Sequence, residues 1–89
     1  MKKMHILKSW PKQFNAVSSG SKTAELRIND RDYRVRDLMV LKEYIPETAV
    51  YTGRSCTVEI THILDKVNLC AVSKYALHDD FAILSVKLT

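Results

Sequence analysis

Glu25 and Arg27 stand two positions apart in the run Thr23-Ala24-Glu25-Leu26-Arg27. On an extended chain that spacing sends both side chains to the same face, their backbone positions about 7 Å apart, a gap that long side chains bridge. Arg27 offers a planar donor fork to a phosphate or a base edge, and Glu25 can accept from an exocyclic amine or hold the arginine in place. Lys22, in the preceding turn, adds a mobile cation. The same residues equally describe a solvated charge pair of little energetic value beside an ordinary turn lysine. Their types alone leave both readings open.

A second group follows at once. Arg31, Arg34 and Arg36 surround Tyr33, which pairs cations for phosphate contact with a ring for base stacking, as at a single-stranded nucleic-acid surface. Asp30, Asp32 and Asp37 cancel much of that charge locally, so an exposed turn with Tyr33 covering a barrel rim is an equal alternative. Ser73 and Tyr75 lie before the last apolar run, where a hydroxyl and an aromatic would complete a cleft lip; Tyr75 suits core packing equally well. His5, His62 and His78 are dispersed, and Cys56 and Cys70 form no CxxC pair. No metal ligand set, disulfide framework or cofactor is expected from them.

The elements that must position these residues are short. Met4 to Leu7 is an apolar start. Trp10, Phe14 and Val17 then recur at helical spacing, with Pro11 suited to a first turn, so a short helix is expected to stop near Gly20. From Thr23 to Asn29 the period becomes two, with Ala24, Leu26 and Ile28 expected to pack and Thr23, Glu25, Arg27 and Asn29 to face a cleft or solvent. Asn29 to Asp32 reads as a turn, and Leu38 to Tyr44 as a second strand. Tyr51-Thr52-Gly53 reads as another turn. Arg54 to Leu64 then alternates, with Cys56, Val58, Ile60, His62 and Leu64 on one face. Asp65 to Asp80 is irregular with room for a helical turn, and Phe81 to Leu88 closes the chain as a strand. One helix and about five strands imply a curled or closed, mostly-β fold.

With 89 residues the chain is the size of one domain, residues 1–89, and has apolar content for one modest core. Its apolar stretches fall far short of the roughly 20 residues that cross a bilayer, and no apolar signal core follows Met1, Lys2 and Lys3. A soluble, cytoplasmic protein is the expectation. Fourteen Lys and Arg against ten Asp and Glu, a net charge of +4, mildly favour an anionic partner.

The segment Gly20-Ser21-Lys22-Thr23-Ala24-Glu25-Leu26-Arg27 resembles the GxKxxExR signature of ASCH domains, members of the PUA-like β-barrels. Val35-Arg36-Asp37 is similar to that family's VGD step, with Arg36 where glycine is usual. Tyr51 to Ser55 and Phe81 to Ser85 resemble a compact bacterial and phage subgroup. The resemblance implies a mostly-β (α+β) barrel with one short N-terminal helix and RNA or a nucleotide-like ligand as partner; a monomer is the expectation. It turns the balance at Lys22, Thr23, Glu25 and Arg27 toward a binding cleft, with Arg31, Tyr33, Arg36, Ser73 and Tyr75 around it.

Some ASCH proteins are amidohydrolases that use a lysine, a threonine nucleophile and a glutamate, and RNA cleavage also occurs in the group. Lys22 fits the lysine, but Glu25 stands at the threonine position and removes the covalent route, leaving only a general-base role on water. A binding module is therefore the first expectation. A ribonuclease or amidohydrolase and a protein-interaction domain are the alternatives.

Overall fold

The computed structural model describes residues 2–89, so Met1 lies outside the described residues. The elements run β1 (Met4–Ser9), α1 (Pro11–Ser18), β2 (Ala24–Ile28), β3 (Leu38–Ile45), β4 (Val50–Leu64), α2 (Ser73–Ala76) and β5 (Phe81–Leu88). The five strands form one mostly-β sheet, ordered β1-β3-β4-β5-β2 and curled into a half-barrel. β1 pairs with β3 in parallel, and every other pairing is antiparallel.

Period-two alternation builds the concave interior. β1 turns His5, Leu7 and Ser9 inward, β3 contributes Met39, Leu41 and Glu43, and β4 adds Val58 and Ile60. β5 supplies Ala82, Leu84 and Val86. Pro11, whose ring presets a helical φ, opens α1, which lowers Phe14 and Val17 into this core. The Gly20 amide then caps Val17 from a φ of 84°, a conformation that costs glycine little.

Three expectations need correction. The β3 to β4 turn falls at residues 46–49, and Tyr51, Thr52 and Gly53 are already inside β4. Here the strand pairing of Tyr44 with Tyr51 overrides the turn propensity of the glycine. Second, a register shift between Ile60 and His62 breaks the single face drawn through Cys56, Val58, Ile60, His62 and Leu64. Beyond it His62 is exposed and Ile63 packs on the core.

The third correction inverts β2. Leu26 is 62% exposed and Ile28 58%, whereas Glu25 is only 3% exposed. The register explains it: Glu25 pairs with Leu84 and Arg27 with Ala82, both inward residues of β5, so the polar face of β2 is the one that enters the half-barrel. Leu26 and Ile28 pair outside with Ile83 and Phe81, which are half-buried.

β1 and β2 are the two edges of the sheet. Arginine side chains bridge them: Arg27 Nη1 donates to the Lys8 carbonyl at 3.1 Å and Arg31 Nη1 to the Ile6 carbonyl at 3.4 Å. On the other side of β1 the buried Asp37 carboxylate accepts from the Lys3 amide at 3.0 Å and the Arg34 amide at 3.1 Å, and meets His5 Nε2 at 2.8 Å.

Candidate functional site

Glu25 is the centre of the site. Its carboxylate accepts from Lys22 Nζ at 2.8 Å on one oxygen and from Arg27 Nη2 and Nε at 2.7 and 3.1 Å on the other. Each position has a local cause. Lys22 follows the α1 terminus, where its amide bonds the Ala16 carbonyl, and Arg27 shares the inward face of β2 with Glu25. The carboxylate fixes the guanidinium plane, and the Lys8 carbonyl fixes its far nitrogen. Arg27 is thereby a pre-oriented donor, still partly open to solvent.

Around Arg27 the seam opens into two depressions. One, of about 350 Å³, is lined by Arg27, Arg31, Asp30, Tyr33, Leu26 and Phe81 among others. The other, of about 390 Å³, runs over the β1 edge past Lys8, Arg27, Arg31, Lys42 and Tyr51. Burial pushes the Tyr33 hydroxyl pKa up against the opposing pull of Arg27 and Arg31. Burial also raises the Cys56 thiol, helped by the nearby Glu25 carboxylate and opposed by Arg54, which makes it a poor nucleophile.

The remaining expected residues separate. Thr23 is exposed, and its carbonyl accepts from the Val86 amide. Tyr33 is buried at 8% exposure and stacks at a tilt on His5 with ring centres 4.8 Å apart; it takes the covering role rather than presenting a free face. Arg36 is exposed at a φ of 81°, the left-handed conformation for which glycine is usual, while its amide bonds the Ile60 carbonyl.

Ser73 and Tyr75 do not join the cleft. The Ser73 hydroxyl is buried and closes a loop, accepting from the Cys70 amide at 2.9 Å and donating to the Cys70 carbonyl at 3.2 Å. Tyr75 lines a separate depression running from Lys74 to Asp79, which shares no residue with those at Arg27. The 16-residue distance in sequence from β4 to β5 is spent on a loop with its own local hydrogen bonds, and sequence order gives no sign of where such a loop folds.

Lys8, Lys42 and Tyr51 line the depression at Arg27 and lie outside the motif. Their signal was alternation: Lys8 and Lys42 are exposed, charged members of strands whose neighbouring positions Leu7 and Leu41 turn inward. Among the described residues no group of His, Cys, Asp and Glu could hold a metal ion. Among the described residues no helix is long and apolar enough to cross a membrane.

Fold and site together define a small, mostly-β half-barrel whose edges meet at an arginine-bridged, basic cleft. Residues 4–86 match the family described as Domain of unknown function (DUF3850), and the chain belongs to that family. It is also similar to the "Uncharacterized 12.9 kDa protein in GpA 3'region" of Escherichia phage P2, 38% identical over 65 residues. That alignment covers 73% of this chain and 58% of the relative, so the chain spans less than two thirds of the relative's length.

Proposed function

We propose that this chain is an RNA- or nucleotide-binding module of the ASCH type among PUA-like barrels, acting in the cytoplasm. One observation carries the reading: the Arg27 guanidinium is held in a fixed plane by the buried Glu25 carboxylate, beside Arg31, at the mouth of an open cleft. A planar, always-charged donor fixed in this way loses little entropy when it meets a phosphate or base edge. The net charge of +4 adds long-range attraction for such an anion.

The test is a titration of labelled single-stranded RNA and of nucleoside monophosphates, with recovered ligand checked for chemical change. Arg27→Ala is expected to weaken binding roughly tenfold, the scale of one charge-assisted contact, with the ligand recovered intact. Chemically altered ligand would move the protein to the hydrolases, and equal affinity for wild type and variant would remove Arg27 from the site.

A further inference from the structure

Beyond Arg27, the outer face of β1 and β3 carries two neighbouring cations, Lys8 and Lys42, that no carboxylate meets among the described residues. Lys8 and Lys42 are directly opposed in the β1 to β3 register, and Lys42 is opposed by Ser55 of β4. Like charges placed opposite one another on a sheet destabilise it. Among the described residues neither lysine has an ion-pair partner, and Lys8 Nζ lies 4.4 Å from the Tyr44 ring centre.

The depression that begins at Arg27 and Arg31 continues over these lysines. A second one, of about 460 Å³, shares Ile6, Lys42 and Tyr51 with it and extends past Gly53 to Ser55, while the Arg54 guanidinium between them is held by the inward Glu43 carboxylate at 3.5 Å and lies 5.0 Å from the Phe14 ring centre. Among the described residues no acidic side chain lines either depression. Glu59, on β4, pairs with Leu38 at the far end of β3. Tyr51 is half-exposed and set edge-on against Tyr44, ring centres 4.9 Å apart, so its position is fixed while one face stays available.

Resting on the reading of the preceding subsection, we infer that the ligand is a strand and not a single nucleotide: single-stranded nucleic acid crosses the outer face from Arg27 and Arg31 over Lys8 and Lys42, with a base on Tyr51. Cations in a row suit successive phosphates, and a lone aromatic among them accepts any base. A mononucleotide would engage one end of this row and leave the Lys8 and Lys42 repulsion in place.

The experiment compares a fluorescent ten-nucleotide single-stranded RNA with uridine monophosphate and inorganic polyphosphate, on wild type, Lys42→Gln and Tyr51→Ala. Circular dichroism checks that both variants, altered at exposed positions, stay folded. The decamer is expected to bind at least tenfold more tightly than the monophosphate. Tyr51→Ala should weaken it roughly tenfold, and Lys42→Gln should lower the slope of log affinity against log salt by about 0.7. Each substitution should weaken decamer binding by a larger factor than monophosphate binding. Equal affinity for decamer and monophosphate, with both variants silent, overturns the strand path and leaves the Arg27 module standing. Polyphosphate matching the decamer, with Tyr51→Ala silent, overturns the base contact. Loss of all binding already in wild type overturns the module itself.

Discussion

Glu25 is a carboxylate taken out of water and met by two cations that stay partly wet, with Lys22 29% and Arg27 19% exposed. Removing the charge therefore releases two groups that solvent can rescue, and the cost falls below that of a fully enclosed pair. Glu25→Gln is expected to lower stability by about 1–3 kcal/mol, the scale of hydrogen bonds to charged groups; urea unfolding reads it, and Lys22→Met should cost less because Arg27 still holds the carboxylate. Asp37 has the opposite surroundings. Burial raises its pKa, but the hydrogen bonds from His5 and from the Lys3 and Arg34 amides outweigh that and hold it below the usual carboxylate value of 3.8. A depressed folded-state pKa contributes stability that is present above the unfolded value and lost as pH falls through the folded one. The wild type should therefore lose stability as pH falls below about 4, and Asp37→Asn, less stable at neutral pH, should flatten that acid limb in pH-dependent thermal melts. Arg36 is simpler still. Its φ of 81° is strained for any side chain with a Cβ, and Arg36→Gly should stabilise the protein by about 1 kcal/mol in the same melts.

At the scale of elements, what could be read from the sequence depended on whether a pattern was local. The α1 helix announced itself through Pro11, Phe14 and Val17, and β5 through its continuous apolar run, because both are set by their own residues. The Glu25 and Arg27 pair was likewise visible, since a two-residue spacing on one strand brings both side chains to one face in any fold, and Lys22 joins them from the turn just before the strand. Which face of β2 would be buried was not local. It depended on registration with Leu84 and Ala82, residues nearly sixty positions away, and the polar face entered the half-barrel. The stability consequence inverts with it. Leu26→Ala should change unfolding free energy by less than about 1 kcal/mol, while Leu84→Ala, at 0% exposure, should cost about 2–5 kcal/mol. Equal costs by urea titration would mean that the register assigned to β2 is wrong. Ser73 and Tyr75 lie apart from Arg27 for a related reason: their loop is closed by Cys70 and Asp65, and nothing in their spacing from Arg27 encodes a distance in space.

The whole molecule is organised around an incomplete closure. A sheet with two edges ordinarily leaves rows of unpaired backbone groups on each, an invitation to pair with another chain. Here β1 and β2 are those edges, and guanidinium groups occupy carbonyls of β1 where a strand would otherwise bond. The same arginines face the basic cleft, so closure and the proposed ligand contact would draw on one set of donors. Each guanidinium has five N–H groups in a fixed fork, enough for Arg27 to serve Glu25, the Lys8 carbonyl and an incoming phosphate together. A lysine cannot do this, because its three donors radiate from a single nitrogen. Arg27→Lys keeps the net charge and its attraction for anions but gives up the bridge from Glu25 to Lys8. Backbone amides along β1 should then exchange hydrogen faster by roughly tenfold, the factor for about 1.4 kcal/mol of lost local protection, while amides in the β4 and β5 pairing stay as in wild type. Uniform acceleration across all five strands would assign Arg27 to global stability instead. Unchanged exchange in β1 would show that the edge is held by its β3 partner alone and that the arginine bridge adds nothing to closure.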